Sequence, residues 1–154
     1  MVLYLRKAVE EDMDLLYRWV NDSEVRKNAF HTGEIAYDTH KTCCAKVMKE
    51  KDIQQYILVK ETEGIQKRIG QIRLNINKDT ARIDYSIARN MRKRGYGVKI
   101  VKKLEEMLTE NENGIAVLVA EVKNENIASA KVFQKCGYTE TQKNNYIEFR
   151  KQIK

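Results

Sequence analysis

The spacing of hydrophobic residues along the chain predicts its secondary structure. Apolar residues that recur every three or four positions indicate helices, and alternating or continuous apolar runs indicate strands. Helical spacing is found at Glu10 to Val20, Thr39 to Lys49, Gly97 to Leu108 and Asn126 to Lys135. Strand patterns are found at Val2 to Arg6, Gln55 to Glu61, Ile69 to Ile76, Ala81 to Ala88, Ile115 to Val122, Tyr138 to Glu140 and Tyr146 to Lys151. Asp22 to Glu34 is polar without a regular period, which predicts a turn and a loop with room for a short helix.

Two short gaps in the middle of the chain predict an antiparallel meander of three strands. Glu63-Gly64 and Asn77 to Thr80 have the composition of hairpin turns. The later segment Ile115 to Val122 is almost continuously apolar, which is typical of a central strand covered on both faces. The order of the elements therefore predicts an α/β (α+β) fold, with about seven strands in a mixed, mostly antiparallel sheet and about four helices.

Length and composition narrow the class of protein. A chain of 154 residues with 42% hydrophobic and 33% charged residues suits one globular domain over residues 1–154. The three cysteines, Cys43, Cys44 and Cys136, lack a metal-ligand spacing, so we expect no metal and a reducing compartment. No apolar run is long enough to span a bilayer or to serve as a signal peptide. We therefore expect a cytoplasmic protein, either a monomer or a homodimer, with no membrane partner.

The positive charge of the chain is concentrated in one segment. The chain carries 29 Lys and Arg against 22 Asp and Glu, a net charge of +7. Residues Tyr85 to Leu104 hold seven basic residues and no acidic one, which leaves 22 of each sign in the rest. Tyr96 is the only aromatic residue between the first and last of these basic residues, Arg89 and Lys103, so nucleic acid is not the expected partner.

The glycine-containing part of this basic segment has the features of an anion site. Arg92-Lys93-Arg94-Gly95-Tyr96-Gly97 follows a predicted strand and precedes a predicted helix. The glycines permit a tight turn whose free N–H groups face an anion at the start of the helix, and the arginines add charge-assisted contacts. The alternative interpretation is a glycine turn beside a solvated basic helix face.

Two motifs resemble the Gcn5-related N-acetyltransferases (GNAT). Arg92-x-x-Gly95-x-Gly97 is similar to the loop with which that family binds the pyrophosphate of acyl-CoA. The segment Val122 to Tyr138 (VKNENIASAKVFQKCGY) is similar to the strand-to-helix segment that follows in the family. The order of elements also matches over nearly the whole chain. The resemblance implies a GNAT fold whose sheet is split by a V-shaped acetyl-CoA cleft.

The resemblance implies a set of acetyl-CoA contacts. The cofactor would lie between the strands Ala81 to Ala88 and Ile115 to Val122, and Asn126 would contact its pantetheine arm. A backbone N–H near Ile87 would hold the oxyanion of the tetrahedral intermediate. The other implied contacts are Ala88, Arg92, Arg94, Gly95, Tyr96, Gly97 and Val98.

The family mechanism, direct transfer to a primary amine, needs a base for the amine proton and gains from a donor for the departing thiolate. Glu121 is our first candidate for the base, because it ends the central strand in an apolar surrounding, and Asp84 is the second. The alternative for Glu121 is a solvent-facing residue on a fraying strand end. The tyrosine that often donates to the thiolate in this family is replaced by Phe133. Donation by Tyr138, Ser129 or water, and release of free thiolate, stay open.

Substrate contacts are expected from the N-terminal half. The segment from Trp19 to Phe30 resembles GNAT enzymes that acetylate nucleotide-linked amino sugars. The implied substrate residues are Trp19, Asn21, Arg26, Phe30 and His40, although each is also an ordinary core, helix or surface residue. Arg26 and Lys27 in the polar segment Asp22 to Glu34 favour an anionic sugar nucleotide over a polyamine. Two alternatives stay open: a ribosomal-protein-type N-terminal acetyltransferase, which shares the Trp-x-Asn opening, and a non-catalytic acyl-CoA-binding module.

Overall fold

The computed structural model describes all residues, 1–154, and its elements follow the predicted order. The helices are α1 (Met13–Val20), α2 (Ser23–Asn28), α3 (Tyr37–Lys49), α4 (Tyr96–Glu110) and α5 (Ile127–Lys135). The strands are β1 (Val2–Lys7), β2 (Ile53–Thr62), β3 (Ile65–Asn77), β4 (Thr80–Ile87), β5 (Val117–Lys123), β6 (Thr139–Gln142) and β7 (Tyr146–Gln152). The predicted seven strands are confirmed, and the fifth helix is α2, inside the segment without a regular period. No helix has the length and apolar character that a membrane span needs.

All seven strands form one sheet, in the order β1-β2-β3-β4-β5-β7-β6. The predicted meander of β2, β3 and β4 is confirmed, and every pair of neighbours is antiparallel except β4 and β5. That parallel pair extends over only three residue pairs, from Thr80–Val117 to Arg82–Val119. Beyond Arg82 and Val119 the two strands separate. We call the resulting gap between their C-terminal ends the splay.

The pleat of the strands divides the core between two faces of the sheet. Helices α4 and α5 cover one face, where residues such as Leu74, Ile83, Ile100, Leu104, Phe133 and Phe149 form the main core. Helices α1 and α3 cover the other face, where Leu16, Ile57 and Val59 form a smaller cluster with Trp19 packed against it. Side chains of the splay therefore point either towards α4 and α5 or towards the N-terminal helices.

Helix α1 begins at Met13, three residues after the predicted start at Glu10, because the side chain of Asp12 binds residues outside the helix. Residues Glu10–Asp12 form a 3-10 turn, and the Asp12 side chain is only 1% exposed. Its carboxylate accepts hydrogen bonds from Arg6 at 2.7 and 2.9 Å, from the Val9 amide at 2.9 Å and from Arg68 at 3.1 Å. Burial alone would raise the pKa of Asp12, but these donors outweigh it and lower the pKa to about 2. Asp12 thus joins β1 to β3.

Candidate functional site

The backbone of Ile87, at the end of β4, points into the splay. The Ala88 amide donates to the Ile69 carbonyl at 2.8 Å, so Gly70 and Ile87 form a non-hydrogen-bonded pair of the antiparallel ladder. In such a pair the amide and carbonyl face away from the neighbouring strand, here towards β5. On that side the Ile87 carbonyl accepts a hydrogen bond from Arg92 Nε at 3.0 Å. The Ile87 N–H has the orientation that the predicted oxyanion contact requires.

The loop before α4 has an open, left-handed backbone. Lys93 and Gly95 have φ values of 63° and 82°, and Gly95 is the N-cap of the 15-residue helix α4. A Cβ atom at Gly95 would meet no heavy atom within 4 Å, so the space beside this backbone is free. Arg94 is exposed at the same turn, and Tyr96 is buried with Lys99 Nζ 5.3 Å from its ring centroid. No side chain therefore covers the backbone of this turn at Gly95.

Gly97 has a packing role in addition to its place in the motif. A Cβ atom there would lie 2.9 Å from Val132 Cγ2 and 3.3 Å from the Tyr85 hydroxyl oxygen. The absence of a side chain lets α4 approach both α5 and β4, with half-buried Val98 beside it. The two glycines of the motif therefore have different roles. Gly95 leaves the backbone of the turn uncovered, and Gly97 allows the helices to pack closely.

The arginines that follow β4 bind the N-terminus of α2. Asp22 Oδ1 accepts a hydrogen bond from Arg92 Nη2 at 2.8 Å, and Asp22 Oδ2 accepts one from Arg89 Nε at 3.0 Å. Arg89 Nη2 also donates to Ser23 Oγ at 2.7 Å. At the other side of the splay, Lys123 Nζ donates to the Lys27 carbonyl at 3.1 Å. Helix α2 is thereby fixed to both separating strands.

Asp84 and Glu121, the two predicted bases, lie on the same face of the sheet, on opposite sides of the splay. Glu121 accepts a hydrogen bond from Arg82 Nη1 at 3.3 Å, and its side chain is 29% exposed. Asp84 is surrounded by protein yet stays accessible from the open gap. Burial raises the pKa of Asp84, and the opposing charges of Arg73, Arg26 and Arg82 do not cancel this effect. The cationic side chain of Arg82 thus interacts with both carboxylates.

Two residues of β7 that the sequence analysis did not select share this face. Glu148 is the partner of Glu121 across the β5–β7 ladder, and Tyr146 is the partner of Lys123. Burial raises the pKa of Tyr146, and the nearby charge of Glu121 adds to the shift. The alternation of Tyr146, Glu148 and Arg150 marks one strand face, but only the pairing of β7 with β5 brings that face to the splay.

Tyr138 and Phe133 lie in the core between the sheet and helices α4 and α5. The Tyr138 hydroxyl has no hydrogen-bond partner and lies beside Glu105 in the middle of α4, and burial raises its pKa. Lys151 Nζ is 5.6 Å from the Tyr138 ring centroid. Phe133 is 2% exposed and stacks on Phe149 at 5.4 Å. The structure therefore does not bring the Tyr138 hydroxyl to the splay, because packing directs it towards α4.

Asn126 and Ser129 form the N-terminus of α5. Asn126 is the N-cap, and its Oδ1 accepts a hydrogen bond from the Ser129 amide at 3.2 Å. Ser129 Oγ lies 3.1 Å from the Tyr85 hydroxyl, which belongs to β4. This contact connects the strand on one side of the splay with the helix that follows the strand on the other side.

Asn21 and Arg26, two of the predicted substrate residues, hold the loop that follows α2. The Asn21 side chain donates to the Ile35 carbonyl at 2.9 Å and accepts from the Ile35 amide at 2.7 Å. Arg26 donates to the carbonyls of Val20 and His31 at 2.6 and 2.8 Å. Burial lowers the pKa of Arg26, against the charge of Asp84. Both side chains satisfy backbone groups of their own segment.

Phe30 and His40 have unlike surroundings. Phe30 is 59% exposed and packs edge-to-face against Tyr146 at 5.7 Å, at the end of the splay. His40 is buried between α1 and α3, where its Nε2 lies 3.0 Å from the Met13 carbonyl and 3.2 Å from Cys44 Sγ. Phe30 thus contacts a residue of the strand face that carries Glu121, whereas His40 is enclosed between two helices and does not reach the splay.

A pocket of about 310 Å³ lies between the N-terminal helices and the end of β4. Its apolar wall includes Trp19 and Val25, and its floor includes Ser86 and Ile87. Its charged residues are three arginines and one aspartate: Arg18, Arg89, Arg92 and Asp22. Since Asp22 is already paired with two of these arginines, the pocket has a positive character next to the amide of Ile87.

Comparison with known proteins agrees with this geometry. The family model of the GNAT acetyltransferase domain matches residues 3–139. A search of curated protein sequences gives no significant match. The fold is similar to that of a domain from Methanocaldococcus jannaschii DSM 2661, with a TM-score of 0.86, 18% identity and 98% of each chain covered. It is also similar to spermidine N-acetyltransferase from Vibrio cholerae in complex with CoA and spermine, with a TM-score of 0.81, 16% identity and 96% and 92% of the two chains covered. A third similar structure is that of a ribosomal-protein alpha-N-acetyltransferase in complex with coenzyme A, with a TM-score of 0.82, 14% identity and 99% and 95% of the two chains covered.

Proposed function

The chain belongs to the GNAT acetyltransferase family, and on that premise we propose that it acetylates the amino group of a nucleotide-linked amino sugar. As a family member it is an acetyl-CoA-dependent N-acetyltransferase. The observation that carries the choice of acceptor is the positive pocket beside Ile87, which holds three arginines and one aspartate that is already paired.

The residues of the splay fit acetyl-CoA. Gly95 leaves its backbone free, Arg94 stands exposed beside it, and α4 presents unpaired N–H groups at the same turn. The Ile87 amide is directed into the gap between the strands. Bound acetyl-CoA supplies an activated acetyl thioester. The amide of Ile87 polarises its carbonyl group, since an N–H that is fixed by a strand needs no reorientation during the reaction.

The acceptor pocket distinguishes between classes of amine. Polyamines and aminoglycosides carry several positive charges, which Arg18 and Arg89 would repel. A sugar linked to a diphosphate instead brings negative charge to these arginines, and guanidinium groups bind phosphate oxygens in pairs. Trp19 adds a flat apolar wall suited to a sugar ring or a base.

A carboxylate at the splay removes the proton of the attacking amine. Glu121 remains our first candidate, because it lies opposite β4 and is only partly exposed. Asp84 is the second, and Glu148 joins them as a third carboxylate on the same face. Arg82 donates a hydrogen bond to Glu121 and lies near Asp84, so its positive charge offsets the repulsion between these two carboxylates.

Ser129 is the hydroxyl that we assign to the leaving group. Of the donors that the sequence analysis left open, Tyr138 faces α4, whereas Ser129 is half-buried at the first turn of α5. A hydrogen bond from Ser129 Oγ stabilises the sulfur as the C–S bond breaks and the thiolate departs with the electron pair. The proton of the amine goes to the carboxylate.

The test is release of free thiol from acetyl-CoA with three kinds of acceptor: UDP-linked amino sugars, short peptides and spermidine. We expect activity with the sugar nucleotides. Activity with peptides alone would replace the sugar by a protein N-terminus, and absence of activity with every amine would remove the enzymatic function.

A charge reversal in the pocket sharpens this test. Arg18→Glu is expected to raise KM for the sugar nucleotide at least tenfold and to leave the affinity for CoA unchanged. Lys41→Glu makes the same change of charge at an exposed site on α3 and serves as the matched control. Equal effects of the two substitutions would show that net charge, rather than the pocket, selects the acceptor.

A further inference from the structure

Tyr85 places a hydroxyl at the junction of three elements of the splay. Its oxygen lies 3.1 Å from Ser129 Oγ in the first turn of α5 and 3.3 Å from the position of a Cβ atom at Gly97 in the first turn of α4. Tyr85 precedes Ile87 by two residues, so both side chains lie on one face of β4. Beside the amide of Ile87, the splay therefore contains a pair of hydroxyl groups.

Packing does not account for this pair. The Tyr85 ring contacts Phe133 at 5.9 Å, a contact that a phenylalanine would also make. Ser129 is not needed as a helix cap, because Asn126 already accepts the hydrogen bond from the Ser129 amide. The two hydroxyls have each other as their hydrogen-bond partner.

Either hydroxyl of this pair can donate to the other, and the phenol is the more acidic of the two and so the better donor. Burial raises the pKa of Tyr85 to about 12, so that its hydroxyl stays protonated throughout the neutral range. When Tyr85 donates to Ser129 Oγ, the serine's own proton becomes available for a third group. Ser129 is half-buried in the first turn of α5, and in the proposed transfer the leaving group lies in the splay.

We propose that Tyr85 is a positioning residue that directs the Ser129 hydroxyl towards the sulfur of the thioester. This inference rests on the proposed acetyl transfer and on the assignment of Ser129. No proton passes to the sulfur. The Ser129 O–H donates a hydrogen bond that strengthens as negative charge develops on the sulfur, and the hydrogen bond from Tyr85 prevents Ser129 from rotating away.

The kinetic test is a double-mutant cycle of Tyr85→Phe and Ser129→Ala, with the acceptor that proves active. Tyr85→Phe is expected to lower kcat about tenfold, because Ser129 loses the hydrogen bond that orients it, with little change in KM for acetyl-CoA. In the Ser129→Ala background Tyr85→Phe has no further effect, because it acts through that serine. Ser129→Thr, which keeps the hydroxyl, retains most of the activity. Additive effects of Tyr85→Phe and Ser129→Ala would overturn the proposal.

A binding measurement gives a readout that is independent of activity and of the acceptor. At pH 9, titration calorimetry is expected to show that Tyr85→Phe binds CoA several-fold more weakly than the wild type, whereas desulfo-CoA binds both proteins equally. Tyr56→Phe is the matched control, since it also removes a hydroxyl that donates a hydrogen bond, here to Gln54 in β2. Equal losses for CoA and desulfo-CoA would show that Tyr85 acts through packing and overturn the proposal.

The two measurements separate this inference from the proposed function. A wild-type protein that does not bind CoA would refute the acetyltransferase and, with it, the role of Tyr85. A wild-type protein that binds CoA normally, with a Tyr85→Phe variant that behaves identically towards CoA and desulfo-CoA, would refute the role of Tyr85 alone. The melting temperatures of the variants confirm that each is folded.

Discussion

Arg92 and Asp22, 70 positions apart in the chain, are joined by an ion pair of 2.8 Å. Arg92 belongs to the loop proposed to bind the pyrophosphate of acetyl-CoA, and Asp22 is the N-cap of α2, which borders the proposed acceptor pocket. Arg89 reinforces the contact at 3.0 Å. The ion pair therefore joins the loop proposed to bind acetyl-CoA to the pocket proposed to bind the acceptor.

Asp22→Asn separates the charge of this residue from its capping role, because asparagine is also a good N-cap. We expect the affinity for CoA to rise a few-fold, since a negative charge next to the phosphate site is removed and Arg92 is released. KM for the acceptor is expected to rise, because α2 loses its attachment to β4. Calorimetry with CoA and steady-state kinetics measure the two effects. Unchanged values for both ligands would show that the ion pair affects neither binding site. Asp14→Asn, at an exposed site on α1, is the control.

Gly97→Ala is expected to destabilise the fold by about 2 kcal/mol, roughly 5 °C in melting temperature, because the added methyl group collides with Val132 Cγ2. Removing that neighbour supplies the control. In Val132→Ala the additional loss of stability caused by Gly97→Ala should be clearly smaller, whereas strict additivity of the two substitutions would contradict the packing role.

Gly95→Asn, at a position with free space and a left-handed backbone, should reduce the stability less than Gly97→Ala does.

Glu121→Gln is expected to lower kcat about 10²-fold at neutral pH, because the amide cannot accept the proton of the amine while it still accepts a hydrogen bond from Arg82. Asp84→Asn and Glu148→Gln are measured beside it, and Glu140→Gln on the exposed edge strand β6 is the control. If Glu121→Gln keeps the wild-type kcat, whichever of the other two substitutions abolishes activity identifies the base.

The stability of the fold is expected to depend on Asp12 at acidic pH. Its folded pKa of about 2 lies below the value of about 3.9 for an unfolded aspartate, so its stabilisation is complete above the unfolded pKa and is lost as the pH falls towards 2. The loss amounts to about 2 kcal/mol. Urea unfolding between pH 6 and pH 2 should show this slope in the wild type and a shallower one in Asp12→Asn. Parallel pH profiles would contradict it.

The sequence predicts those parts of the fold and site that depend on local chemistry. Local residues determine the conformation of three segments: the hairpin turns, the apolar stripe of α4 and the loop from Arg92 to Gly97. These features locate the meander, helix α4 and the loop before it.

The remaining features depend on partners far apart in the chain. Asp12 lies at the start of the predicted first helix, yet Arg6 of β1 and Arg68 of β3 bind it. Asn21 and Arg26 have the composition of substrate contacts, but they satisfy carbonyl groups and an amide of their own loop. The hydroxyl of Tyr138 is directed to α4 by packing around Phe133, and Glu148 reaches the splay only through strand pairing. Spacing along the sequence contains no information on such contacts.

The short parallel contact between β4 and β5 also has a mechanical consequence. Strands β1 to β4 form one half of the sheet and strands β5 to β7 the other, and the two halves are paired over only three residue pairs. A molecule of acetyl-CoA bound in the splay would add contacts to both halves. Binding should therefore make the two halves unfold as one unit, and amide exchange along β5 and β7 should slow most when CoA is added.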